Sequence, residues 1–190
     1  MASIQTLSDS DRRALARWAL ACAERVVPLF DAGIDADAQE EIQDAIARTR
    51  AYSAGQSTAA EEIRKRLVGV KAAQAATTPA GAAAARAVGQ AAAVAHMGAH
   101  ALGAAAYAVK AVSLADEDGR SPERIGDEIR WQVAELTERE RAALLLLPPL
   151  EADQAGPLGT GLLSRGALGT TIREIQAQLG ETAGRAAARA

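Results

Sequence analysis

Residues 78–112 read TPAGAAAARAVGQAAAVAHMGAHALGAAAYAVKAV, and no residue between Arg86 and Lys110 carries a formal charge. Thr78 followed by Pro79 is a helix start: the hydroxyl takes an orphan N–H, and proline at the first helical position gives up a donor that had no partner. Alanine is the best helix former, so the stretch is helical. As one straight rod it would run roughly 50 Å at 1.5 Å per residue, too long for a compact domain of this size. A break near Met97-Gly98 is therefore expected, leaving two Ala-rich helices.

On a wheel of 100° per residue, His96, His100, Tyr107 and Lys110 fall within an arc of about 80°. Val94, Leu102, Val109 and Val112 lie opposite. Gly89 and Gly103 share the histidine arc if the helix is continuous, and an interior glycine costs roughly 1 kcal/mol relative to alanine. A close approach to that face is expected. The arc is either a solvated polar face opposite a core face, or a small polar site in an Ala-lined groove with at least one histidine buried.

His96 and His100 stand four apart, the half-site spacing of helical zinc ligands. Met97 occupies the place where metalloprotease helices carry glutamate, and a third ligand would have to come from acidic residues elsewhere in the chain. Acid–base chemistry by the histidines with Tyr107 and Lys110 is conceivable, but no nucleophile with its base, cofactor loop or oxyanion motif accompanies them. No catalytic residue, metal or cofactor is assigned, and the balance leans against an enzyme.

Outward from this centre, Ser8 caps a first helix with Asp9 and Asp11 in its first turn, and Leu15, Trp18, Ala19, Cys22 and Val26 recur as a core stripe. Trp18 reads as core, although an indole beside an Ala-lined groove also suits a ligand site. Cys22 reads as buried filler. A second helix begins near Asp37 with Ile42, Ala45, Ile46 and Thr49 inward, and ends at Ala54-Gly55. Thr58 and Glu61 have capping-box spacing, so a third helix follows with Ile63, Leu67 and Val70 inward and Arg64, Lys65, Arg66 and Lys71 on a solvated outer face.

Beyond the centre, Ser121-Pro122 opens a helix with Ile125, Ile129, Val133 and Leu136 inward. Thr137 and Glu140 repeat the capping-box spacing before Leu144 to Leu147, which are expected to plug the end of the bundle. The reading is all-α: a single-domain bundle of about six to seven helices over residues 1–150. Residues 151–190 read as a Gly-rich linker and an amphipathic helix with Ile172, Ile175 and Leu179 on one face, removable from Leu158 onward without unfolding the rest. This tail packs on its own bundle, crosses to a second copy as in a homodimer, or stays loose.

Alanine fills roughly a quarter of the chain and aromatics only 3%, and no alternating β-branched run reads as a strand. Net charge is −3, distributed as +4 over residues 56–112 and −4 over residues 113–150. A nucleic-acid binder would show a dominant basic stripe interleaved with aromatics, so none is expected as a partner. The uncharged stretch is long enough to span a bilayer but is mostly Ala and Gly, too weakly apolar to partition into lipid. With one cysteine and no signal-like N-terminus, the expected compartment is the cytoplasm.

Three stretches taken together resemble bacterial immunity proteins of the Imm-5-like domain family. They are Gly89 to His96 continuing through Gly98 to Val112, Arg13 to Phe30 (RALARWALACAERVVPLF), and Trp131-Gln132 with the Leu/Glu/Arg-rich helix that follows. The resemblance covers about residues 8–150 and lapses in the Gly-rich tail. It implies an all-helical domain that neutralises a protein toxin made by the same or neighbouring cells, and it carries over no catalytic residue. An acidic surface of Asp116, Glu117, Asp118, Asp127 and Glu128 would suit a basic toxin. The alternative is a small-molecule-binding helical domain, an accessory protein or enzyme of a biosynthetic cluster, that uses the His96/His100/Tyr107/Lys110 face with Trp18.

Overall fold

The computed structural model describes residues 3–31, 33, 35–63, 68–116 and 122–187. Among them are nine α-helices and no strand: α1 (Asp9–Glu24), α2 (Ala36–Ser53), α3 (Ala59–Ile63), α4 (Val68–Ala75), α5 (Pro79–Ala93), α6 (His100–Ala115), α7 (Pro122–Ala134), α8 (Glu138–Leu145) and α9 (Gly166–Ala187). Local chemistry sets several starts. Ser8 Oγ accepts from the Asp11 N–H at 3.1 Å, and Thr78 Oγ1 from the Gly81 N–H at 2.9 Å. Thr137 and Glu140 close a reciprocal capping box, as do Thr58 and Glu61. Each such cap stabilises its helix by about 1 kcal/mol.

α6 is the axis of the molecule. From Ala101 to Val109 every residue is buried, because α5, α1, α9 and α7 all pack on it. A helix apolar on every side belongs in the interior. Its alanines leave no bulk to hold neighbours apart, so α5 and α6 share the most extensive contact in the fold. At Gly103 closeness becomes obligatory, since a Cβ there would lie 2.4 Å from Gln90 Oε1 and 3.0 Å from Leu163 Cδ1.

The long stretch breaks where expected, over residues 94–99. Ala99 offers no side-chain cap to α6. The carbonyls of Thr6 and Gln5 substitute, accepting the Gly98 and Ala99 N–H groups, each at 3.1 Å. Gly98 is small because Leu7 lies against it, with Cδ1 2.7 Å from where a Cβ would stand.

The last forty residues share the core of the rest. Leu158, Leu163, Leu168, Ile172, Ile175 and Leu179 are buried in one cluster with Leu15, Trp18 and the α5–α6 alanines, and α9 lies on α6, α7 and α8. No break in packing falls at Leu150. The Gly-rich segment is fastened by Gln5, which is fully buried: its Nε2 donates to Asp153 Oδ2 at 3.1 Å and to the Ala155 carbonyl at 2.8 Å, and its Oε1 accepts from the Leu158 N–H at 3.0 Å. Gly156 must be glycine there, with φ +82° and a would-be Cβ 2.6 Å from Gln5 Oε1.

Two inward assignments are corrected. Of the four leucines, Leu144 and Leu147 are buried, but Leu145 is 46% and Leu146 55% exposed. Successive side chains turn through 100°, so a helix end docked on one side buries the residues three apart and leaves those between outside. On α3 the buried residue is Glu62, whose carboxylate Arg48 Nη1 reaches at 2.9 Å. Arg64, Lys65, Arg66 and Leu67 lie outside the described residues, and Lys71 pairs with Glu41 at 3.0 Å.

Candidate functional site

The break between α5 and α6 divides the polar arc. His96 sits in the connection and is exposed, whereas His100, Gly103, Tyr107 and Lys110 share one line along α6. A wheel drawn through a continuous helix cannot place His96 beside them, yet the turn brings its ring centroid to 6.5 Å from that of His100. His100 Nδ1 lies 2.8 Å from Gln90 Oε1. With an amide oxygen as partner, Nδ1 carries the proton, and the ring is neutral. Burial, reinforced by the neighbouring His96, pushes the His100 pKa down to about 4.

Tyr107 is only 4% exposed, and burial raises its phenol above the usual value. Lys110 is half-buried. Trp18 is fully buried, its indole N–H donating to the Gln132 carbonyl of α7 at 2.8 Å. The indole therefore joins α1 to α7 and offers no open face. Among the described residues no group of three or more His, Cys, Asp or Glu side chains is placed to hold a metal ion.

Of the acidic residues, Glu128 does not lie on the surface. Glu128 is 4% exposed: Arg25 Nε donates to its Oε2 at 3.0 Å and Gln132 Nε2 to its Oε1 at 3.1 Å. The Arg25 guanidinium stacks 4.0 Å above the Trp131 ring. Asp127 is exposed but paired with Arg130, and Asp116 lies 3.3 Å from Arg124. Glu117 and Asp118 fall outside the described residues. Glu140 is likewise interior: Arg17 Nε and Nη2 donate to its two oxygens at 2.5 and 2.6 Å. Burial pushes its carboxyl up, but Arg17 and the Thr137 N–H outweigh that, and the pKa ends below the ordinary value.

The surface feature that the sequence did not reveal is an apolar groove of about 390 Å³ between the N-terminal segment and the end of α8. Ile4 is 61% and Leu146 55% exposed on its walls. Leu7, also lining it, has φ +61° and ψ 172°, a backbone region otherwise kept by glycine that costs of order 1–3 kcal/mol. Arg12 Nη1 holds the Leu7 carbonyl at 3.0 Å. At the rim, Asp11 accepts the Ser8 hydroxyl at 2.5 Å.

The described residues form a helical domain with a closed alanine core and an apolar groove on its surface. The chain belongs to the Imm-5 like putative immunity protein family, whose model matches residues 5–139. No curated protein and no solved structure matches it. The match ends at the second residue of α8, so Leu145, Leu146 and all of α9 lie beyond it. Among the described residues no helix is long and apolar enough to cross a membrane.

Proposed function

We propose that this protein is an immunity protein that binds a protein toxin and neutralises it in the cytoplasm of the cell that makes it. The observation that carries the reading is membership of the immunity family over residues 5–139. Neutralisation is by occupancy: a folded surface covers the toxin, and affinity comes from a few desolvated anchors surrounded by a polar rim. The acidic-surface version of this reading loses Glu128, which is committed inside the protein.

Co-expression tests this directly. Cells producing the toxin domain encoded beside the gene should survive when this protein is present and die when it is absent, and the two purified proteins should elute as one complex. Survival without complex formation, or complex formation without protection, would overturn it.

A further inference from the structure

We infer that the groove between Ile4 and Leu146 is the docking site for the toxin, and that it takes a segment presenting an apolar side chain next to a lysine or arginine. This rests on the immunity reading above and adds to it the surface and the chemistry of the partner.

The walls are two large apolar side chains left in water, Ile4 at 61% and Leu146 at 55% exposure. Isolated exposed leucines are ordinary, but here they converge on one concavity. The floor is Leu7, pinned by Arg12 and pressed against Gly98. A rigid floor with apolar walls is what an anchoring side chain requires, because little ordering is lost on binding.

Charge selects among occupants. Asp11 lines the groove, and among the described residues no cation pairs with it: nearby Arg12 and Arg13 go to Asp9, at 3.2 and 2.7 Å. A partner bringing a cation beside its apolar residue satisfies both the walls and the carboxylate. A second copy of this chain, docking groove to groove about a two-fold axis, would match apolar walls but bring two Asp11 carboxylates together, which disfavours it.

The test uses the full-length protein and the purified toxin domain encoded beside its gene, with Kd measured by calorimetry for the wild type, Leu146→Glu and Asp11→Asn. Leu146 is exposed and Asn keeps an acceptor for Ser8, so unchanged melting temperatures would certify both variants as folded. The expected result is a loss of affinity of at least about 30-fold for Leu146→Glu and about tenfold for Asp11→Asn, the latter with a weaker salt dependence. Wild-type affinity in both variants would overturn the groove and leave the immunity reading standing. Failure of the wild type to bind would overturn both. A wild-type dimer in sedimentation that Leu146→Glu renders monomeric would make a second copy the occupant, and the inference would be wrong.

Discussion

Gln90 and His100 face each other across the break in the Ala-rich stretch, Oε1 to Nδ1 at 2.8 Å, and the missing side chain of Gly103 makes room for that contact. The pair ties the last turn of α5 to the first of α6, and burial with His96 nearby keeps the imidazole neutral.

That neutrality makes stability depend on pH. The folded-state pKa of about 4 lies below the ordinary histidine value of 6.5, so the unfolded chain takes up a proton first. The stability contributed is complete above pH 6.5, declines as the pH falls toward 4, and does not change further below it, for up to about 3 kcal/mol in all. Urea melts from pH 7.5 to 4 should show this decline, and His100→Gln should flatten it. An identical slope in the variant would refute the assignment.

Gly103→Ala should destabilise the protein by about 1–3 kcal/mol, because the new methyl meets Gln90 and Leu163 and the core has no free volume. Gly98→Ala should cost less, since its new methyl would first meet Leu7, at 2.7 Å, whereas that of Gly103→Ala would meet Gln90 at 2.4 Å and Leu163 as well. Thermal melts of the two variants side by side would check the order.

Glu140→Gln should cost about 1–2 kcal/mol, less than for a fully buried pair because Arg17 is 41% exposed and keeps Glu135. It removes the charge that answers Arg17 in a site where the carboxylate is 2% exposed. The depressed Glu140 pKa also predicts a second acid-side loss, with stability present above the ordinary glutamate value and lost as the pH falls through the folded one. Chemical denaturation at pH 7 and pH 4 should show the variant closing its gap on the wild type at the lower pH.

Deleting Leu158 to Ala190 should abolish cooperative unfolding. Six buried leucines and isoleucines leave with it, at roughly 2 kcal/mol each, which is comparable with the entire net stability of a domain. A sharp melt in the truncated protein would show that the first 157 residues fold alone.

What the sequence disclosed was local. Ser8, Thr78 and Thr137 announce their helices through one hydroxyl and one N–H three residues on, and the length of the alanine run alone forces a break. What stayed hidden depends on partners far along the chain. Glu128 reads as a surface residue because charge defaults to solvent, and the arginines that hold it, Glu62 and Glu140 inside, namely Arg25, Arg48 and Arg17, lie on other segments of the chain. The groove was illegible for the same reason, since Ile4 and Leu146, far apart in the chain, come to line one groove only in the fold. The leucine run did carry a signal: residues 144 and 147 are a helical pair, and reading that spacing would have placed 145 and 146 outside.

The clasp formed by Gln5 sets the order in which the protein can be finished during synthesis. Its amide has nothing to hold until Asp153, Ala155 and Leu158 have been made, and the flank of α6 that α9 covers stays open until Leu179 has left the ribosome. Contacts spanning nearly the whole chain also form late in folding generally. A nascent copy that has not yet reached Leu179 therefore lacks both its closed core and its settled N-terminal segment.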